Sequence, residues 1–241
     1  MAHALLGFHS YTSASFKQQQ KTYSGEDVRL GRESSAVFGR FLKEFPVIRC
    51  VRLGADILRP VGDEKSGMRE NWLAHCRLEW GKRLVQSYRD NRFNGLFETA
   101  AQIHHHRHDI VSFIPRLDKP NLKVRSVLED MSDMRVGSML HAVAVVYVPV
   151  TGPYWDLVSS KHIPYLQLYR CIQPLADAVS RWKDQPLELL KTRIEIPIFD
   201  EFPPDVDGPL YISASSQPED NQFFSNTLTS VLDGILKTIL K

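Results

Sequence analysis

The periodic apolar pattern between Asn91 and Ile114 constrains the fold of this chain more than any other feature. Its apolar residues recur with the period of an α-helix, at Phe93, Leu96, Phe97, Ala100, Ile103 and Ile110. Pro115 follows directly, and a proline inside a helix removes a backbone hydrogen bond. The pattern therefore predicts a long helix that ends at Pro115.

The same period recurs along most of the sequence. It predicts further helices at residues 3–22, after the capping pair Ser34 and Ser35, and at 68–80, 122–139, 165–182 and 221–240, while residues 47–58 form a further apolar run that stops at Pro60. Pro174 is expected to kink or restart its helix. The β-branched run His141 to Val150 fits a helix or a buried strand, with helix favoured, and Thr151 to Trp155 is expected to interrupt it. The predicted fold is mostly α, an irregular helical bundle with at most a small residual β element.

Composition divides the chain into three parts. Residues 1–193 carry the helical patterns and are predicted to form one helical domain. Residues 194–219 contain five prolines and several acids, which is typical of an extended surface segment. Residues 220–241 are predicted to form a C-terminal amphipathic helix that packs on the core.

Charge and cysteine content exclude several classes of protein. The 30 Lys and Arg against 28 Asp and Glu give a formal charge of +2, unlike a domain that neutralises many phosphates across its whole surface. The three cysteines are widely spaced and form no CxxC pair, which favours an intracellular protein without a disulfide framework. The longest apolar run, Ala142 to Val150, is shorter than the roughly 20 residues of a membrane span, so no membrane partner is predicted.

A histidine cluster on the predicted helix at 91–114 invites a metal hypothesis. His104 and His108 are four residues apart, as in helical metal-binding pairs, and Asp109 follows. The glutamate that accompanies such pairs in metallohydrolases is missing, and spacing supplies no third ligand. A polar helix face is the favoured interpretation, with a metal-dependent hydrolase as the alternative and no cofactor predicted.

Basic residues before this helix form the best local candidate for nucleic-acid binding. They flank Tyr88 and Phe93, which combines phosphate-seeking charge with stacking surface: Lys82, Arg83, Arg89 and Arg92. A solvated basic face is the alternative interpretation.

The segment from Ser87 to Phe97, with Arg92, Phe93 and Asn94 before a long helix, resembles the Thr-Arg-Trp-Asn-Ser segment of hAT-superfamily transposases. Phe93 stands where that family has tryptophan. His3 is similar to the histidine of the family's Cys-x-x-His motif, with the cysteine position falling before Met1. By this resemblance, Phe93 is a buried anchor, and Arg92 and Asn94 tie the helix to its preceding loop.

The resemblance implies a nuclear, DNA-binding parent whose RNase H-like core is interrupted by a helical insertion domain. Its chemistry uses three separated carboxylates and two metal ions. This chain is expected to begin after the first two family aspartates and to stop before the final glutamate, so no catalytic residue is transferred.

Three hypotheses follow. The first is an inactive transposon-derived helical domain that binds DNA weakly or associates with itself or a protein through the C-terminal helix. The second is a helical protein-interaction scaffold without a nucleic-acid role. The third is the metal-dependent hydrolase.

Overall fold

The computed structural model describes residues 12, 14–16, 29–39, 44–58, 68–79, 85, 95–159, 169–191 and 212–240. Nine α-helices lie in these ranges: α1 Pro46–Leu58, α2 Arg69–Glu79, α3 Gly95–Phe113, α4 Leu122–Ser132, α5 Met134–Val146, α6 Gly152–Ser159, α7 Tyr169–Asp184, α8 Glu188–Lys191 and α9 Asn221–Ile239. Short 3-10 turns occur at Gly31–Ser34, Ala36–Phe38 and Ile114–Arg116. No strand occurs in the described ranges, and the mostly α prediction is confirmed.

Helix α5 is the centre of the bundle. Every residue from Val136 to Val146 is buried, as expected for a mostly apolar helix in the middle of a bundle, and the polar residues Ser138 and His141 are buried with the rest. It packs against α3 on one side and α9 on another, and α9 also packs against α7. Helix α1 packs against α3, α4 and α5 and closes the bundle.

The C-terminal helix α9 directs its apolar face into this core. Phe224, Leu228, Val231, Leu232 and Ile235 are all fully buried. The apolar face that was expected to be available for association is therefore covered by the chain's own helices. Burial of five large side chains makes α9 a major contributor to the hydrophobic core.

Two predicted boundaries differ from the structure. The stretch 122–139 is two helices, because the side chain of Asp133 accepts hydrogen bonds from the backbone N–H groups of Arg135 and Val136 and caps α5. The interruption at residues 151–155 is also wrong. The chain passes from α5 to α6 through a π-helical turn, Tyr147–Thr151, which accommodates Pro149 and Pro153, two residues without a backbone N–H.

The segment at residues 29–39 also differs from its prediction. The serine pair does not cap a regular helix: Ser35 ends the 3-10 turn Gly31–Ser34, and the Ser34 hydroxyl donates to the Gly31 carbonyl. Helix α7 is continuous past Pro174. In the predicted extended segment 194–219, the structure describes residues 212–219, where residues 212–214 form a helical turn and Ala214 is buried.

The helical stretch Met134–Ser159 is, within the described ranges, the one that is long and apolar enough to cross a membrane. This assessment uses only length and composition. Of the 18 most apolar consecutive residues in this stretch, 83% are buried inside the fold. A central core helix meets the same criteria.

Candidate functional site

A fully buried carboxylate joins the N-terminal segment to helices α1 and α4. Asp130 on α4 accepts hydrogen bonds from Arg49 Nε at 2.8 Å and Arg49 Nη2 at 2.7 Å. This is a bidentate pair, the strongest arginine–carboxylate geometry. The backbone N–H of Arg32 donates to the same carboxylate at 2.9 Å. The side chains of Arg49 and Asp130 are both 0% exposed.

Two further acceptors satisfy the Arg49 guanidinium. Its Nη1 donates to Glu33 Oε1 at 2.6 Å and to the Glu44 carbonyl at 2.8 Å. Burial lowers the pKa of Arg49, but the hydrogen bonds and charges of Asp130 and Glu33 outweigh burial, so its pKa is raised. The guanidinium therefore stays charged inside the protein. Arg32, Arg49, Glu33 and Asp130 are called the arginine–aspartate cluster below.

Glycine is required where the N-terminal segment approaches this cluster. Gly31 has φ +57°, in the left-handed region, and a Cβ there would lie 2.3 Å from Asp130 Oδ1. Its backbone N–H donates to Asp133 Oδ2 at 2.7 Å. The segment therefore needs both the conformational freedom and the small size of glycine. The role of the cluster is structural, because the Asp130 carboxylate already accepts three hydrogen bonds and is not exposed to solvent.

Two histidines form a second polar site, where α3 meets α5; His141 is buried and His104 is half-buried. The rings of His104 on α3 and His141 on α5 stack with centroids 4.2 Å apart and planes 10° from parallel. His141 Nε2 lies 2.9 Å from the Ala214 carbonyl oxygen, and His104 Nε2 lies 3.4 Å from the Ser213 carbonyl oxygen. Carbonyl oxygens only accept, so each Nε2 carries a hydrogen and donates it. We call His104 and His141 the histidine pair.

Burial makes both members of the pair difficult to protonate. Burial first, and then the charges of His141, Arg107 and His108, hold the pKa of His104 well below its ordinary value, against the hydrogen bond to Ser213. The pKa of His141 is also lowered, by burial and by Arg107, although the Ala214 hydrogen bond and Glu219 act in the opposite direction. At neutral pH both imidazoles are therefore uncharged.

Arg107 on α3 connects the histidine pair to neighbouring segments. Its Nε donates to the Met131 carbonyl at 2.8 Å, near the end of α4, and its Nη1 donates to Glu219 Oε1 at 3.3 Å. The guanidinium passes directly over Gly137 of α5, where a Cβ would lie 2.3 Å from Arg107 Cζ. The site thus ties residues 213–219 to both α3 and α5.

The structure describes some of the site residues predicted from the sequence and not others. His3, Lys82, Arg83, Arg89, Arg92, Phe93 and Asn94 lie outside the described residues. His104, His108 and Asp109 are described, and His108 is exposed while His104 contacts His141. In the described part of the chain, no group of three His, Cys, Asp or Glu side chains is arranged to hold a metal ion.

Several acids and histidines in the described ranges do not face water. Asp130, His106 and His141 are buried, with at most 4% of each exposed. The sequence carried one signal of this, because Arg49 lies within the apolar run of α1, where a buried arginine requires a buried acid. The pairing of His104 with His141 has no local sequence signal, since it depends on how α3 crosses α5.

Comparisons with protein families, with curated proteins and with solved structures found no match for this chain. The resemblance to hAT transposases therefore stays a prediction that rests on the residues that carry it.

Proposed function

We propose that this chain is a noncatalytic helical domain that contacts DNA weakly through the basic segment at residues 82–92. The observation that carries the proposal is the sequence of this segment, where four basic residues flank Tyr88 and precede Phe93: Lys82, Arg83, Arg89 and Arg92. Cations neutralise phosphates, and aromatic rings stack on bases. The transposase resemblance of the same segment adds support, and it implies a nuclear location.

The surroundings of the segment are compatible with this role. It connects α2 with α3, and both helices are fixed to the core, α2 by the fully buried Trp72 and α3 by Leu96 and Phe97. A connection between two fixed helices holds a binding segment to the body of the protein. Contacts made by such a segment are positioned by a rigid scaffold.

The proposal that the domain is noncatalytic is supported by the roles of its buried polar side chains. Asp130 is bound to Arg49 and Arg32, and the histidine pair is bound to backbone carbonyls. These groups hold helices and segments together, and substrate contact would require those hydrogen bonds to break.

The test is an electrophoretic mobility assay with a DNA duplex at low and moderate salt. The full chain is expected to retard DNA at low salt, with a slope of log affinity against log salt of about −3 to −4 for four phosphate contacts. The variant R83E/R89E/R92E is expected to abolish retardation.

A charge-matched variant serves as the control. Reversal of Arg116, Arg125 and Arg181, which are exposed and distant in sequence from the segment, changes net charge by the same amount. It should weaken DNA binding far less than R83E/R89E/R92E. Equal loss in both variants would show a general charge effect, and no retardation at low salt would end the DNA proposal.

A protein-interaction scaffold is the second candidate, and one observation favours it. Many described basic side chains pair with acids of the same chain, including Arg52 with Glu44, Lys123 with Asp56 and Lys183 with Asp233. Together with a net charge of +2, this pairing leaves less cationic surface for DNA. A scaffold that associates with itself would show a concentration-dependent mass in sedimentation experiments, unchanged in R83E/R89E/R92E.

A further inference from the structure

Residues 213–219 are held to the bundle by two histidines, whose charge depends on pH, and by an arginine. The carbonyls of Ser213 and Ala214 accept from the histidine pair, and Glu219 pairs with Arg107. We propose that the histidine pair and Arg107 form a latch that holds residues 213–219 against α3 and α5, and that protonation of the histidines releases it. This inference is independent of the DNA proposal.

The latched geometry requires uncharged imidazoles. Each Nε2 already uses its hydrogen for a carbonyl, so an added proton must go to Nδ1. His104 Nδ1 is buried and makes no hydrogen bond. A proton there would create a buried charged N–H without an acceptor, which is strongly unfavourable. Release to solvent would remove that penalty.

The charges around the pair also oppose protonation. Helix α3 contributes Arg107 and His108, α5 contributes His141, and residues 213–219 contribute Glu219. Helix α9 contributes Phe224, an uncharged ring 4.7 Å from His141. Among these described groups Glu219 is the acid, and Arg107 already neutralises it at 3.3 Å. A new positive charge on either imidazole therefore has no unpaired carboxylate to offset it.

The direction of the pH dependence follows from proton linkage. In the released state the histidines have ordinary pKa values of about 6.5, whereas in the latched state both pKa values are lower. Above pH 6.5 neither state binds these protons, and the latch is at full strength. Below it the released state binds more protons, so the ratio of released to latched rises by up to about 10-fold per pH unit for each histidine.

Hydrogen exchange of the full chain at pH 7.5 and 5.5 tests the latch, once rates are corrected for the intrinsic effect of pH. Amides of residues 212–220 should lose protection by about 10-fold to 100-fold at pH 5.5, for one or two protonated histidines. Amides of helix α1, Pro46–Leu58, serve as the internal reference and should keep their protection.

Two variants separate the latch from other acid effects. In H104Q/H141Q, each glutamine amide keeps a donor for the carbonyl but cannot titrate, so the pH response of residues 212–220 should disappear. In the matched control H108Q, the replaced histidine is exposed and makes neither hydrogen bond of the latch; it contributes only charge near His104, so the response should persist.

Three results would overturn the latch: unchanged protection of residues 212–220 at pH 5.5, a full pH response in H104Q/H141Q, or equal loss of protection in α1. If H104Q/H141Q does not fold, nitrogen NMR of the wild-type imidazoles decides the matter. Titration of His104 and His141 below pH 6.5, together with the loss of protection, supports the latch. Ordinary pKa values for both, with residues 212–220 still protected, rule it out.

Discussion

Asp130 joins parts of the chain that are far apart in sequence. Its partners Arg49 and Arg32 precede it by 81 and 98 residues. A buried ion pair adds little net stability compared with apolar side chains of the same size, but loss of one partner leaves an uncompensated charge. The cluster therefore makes the correct packing of α1 against α4 depend on a few side chains.

Replacement of Asp130 by alanine should destabilise the protein by about 3 to 5 kcal/mol, because Arg49 is left buried without its bidentate partner. Urea unfolding followed by circular dichroism measures this loss. Its exposed neighbour on the same helix provides the control: Glu129→Ala should change the free energy of unfolding by less than about 0.5 kcal/mol. Similar values for the two variants would contradict a stabilising role for the cluster.

Gly137 provides a second test at single-residue scale. In Gly137→Ala the new methyl group would overlap the Arg107 guanidinium, so Arg107 must move away from Met131 and Glu219. We expect a loss of about 1 to 3 kcal/mol in urea unfolding, typical of overpacking. Ser138→Ala, at the buried neighbouring position, adds no volume and should cost clearly less. A neutral Gly137→Ala would show that Arg107 is not confined there.

Among the elements, helix periodicity predicted α2, α3, α7 and α9 to within a few residues, and the apolar run at 47–58 coincides with α1. Each of these helices has a recognisable pattern in the sequence or ends near a proline or glycine, so local information is sufficient. The boundary at Asp133 was missed because apolar residues continue on both sides of it, and the capping role of one aspartate decides the break. The interruption expected at residues 151–155 is absent because the chain continues from α5 into α6 through a π-helical turn, which accommodates the prolines there.

The two aspartate caps allow a prediction at the scale of elements. Asp133 caps α5 and also accepts from the Gly31 backbone, whereas Asp220 caps α9 at Phe223. Asp220→Ala should cost about 1 kcal/mol, as for a simple cap, and Asp133→Ala clearly more. Urea unfolding of both variants measures the difference. Equal costs would mean that the Gly31 contact adds nothing.

The candidate site was less predictable than the helices. The histidine pattern on α3 favoured a polar helix face, with a metal pair at His104 and His108 as the alternative, and neither interpretation includes the contact of His104 with His141 of α5. Such a pairing is set by the crossing of two helices and leaves no periodic trace. The basic segment at residues 82–92 remains a prediction from sequence.

For the whole molecule, the buried cysteines report on global unfolding. Cys50 and Cys76 are both fully buried. Burial, with the nearby Asp109 carboxylate, raises the pKa of Cys76 to about 11, and burial likewise raises the pKa of Cys50. At pH 8 both are therefore protonated thiols without access to solvent, and only the thiolate reacts.

In a Cys171→Ser background, iodoacetamide at pH 8 should modify Cys50 and Cys76 at least about 100-fold more slowly than in the same chain unfolded by guanidinium chloride. Mass spectrometry of the peptides assigns the rate at each cysteine. A native rate equal to the unfolded rate at Cys50 would show that α1 opens without unfolding of the bundle.

The long sequence separation within the arginine–aspartate cluster also affects how the chain acquires its structure during synthesis. At about 5 to 20 residues per second, the ribosome needs roughly 5 to 20 s to produce the 98 residues between Arg32 and Asp130. Through that interval the Arg49 side chain and the Arg32 backbone lack Asp130, and Glu33 is the acidic partner of Arg49 that is already present. Helix α1 therefore reaches its native packing against α4 only after the residues around Asp130 have been synthesised.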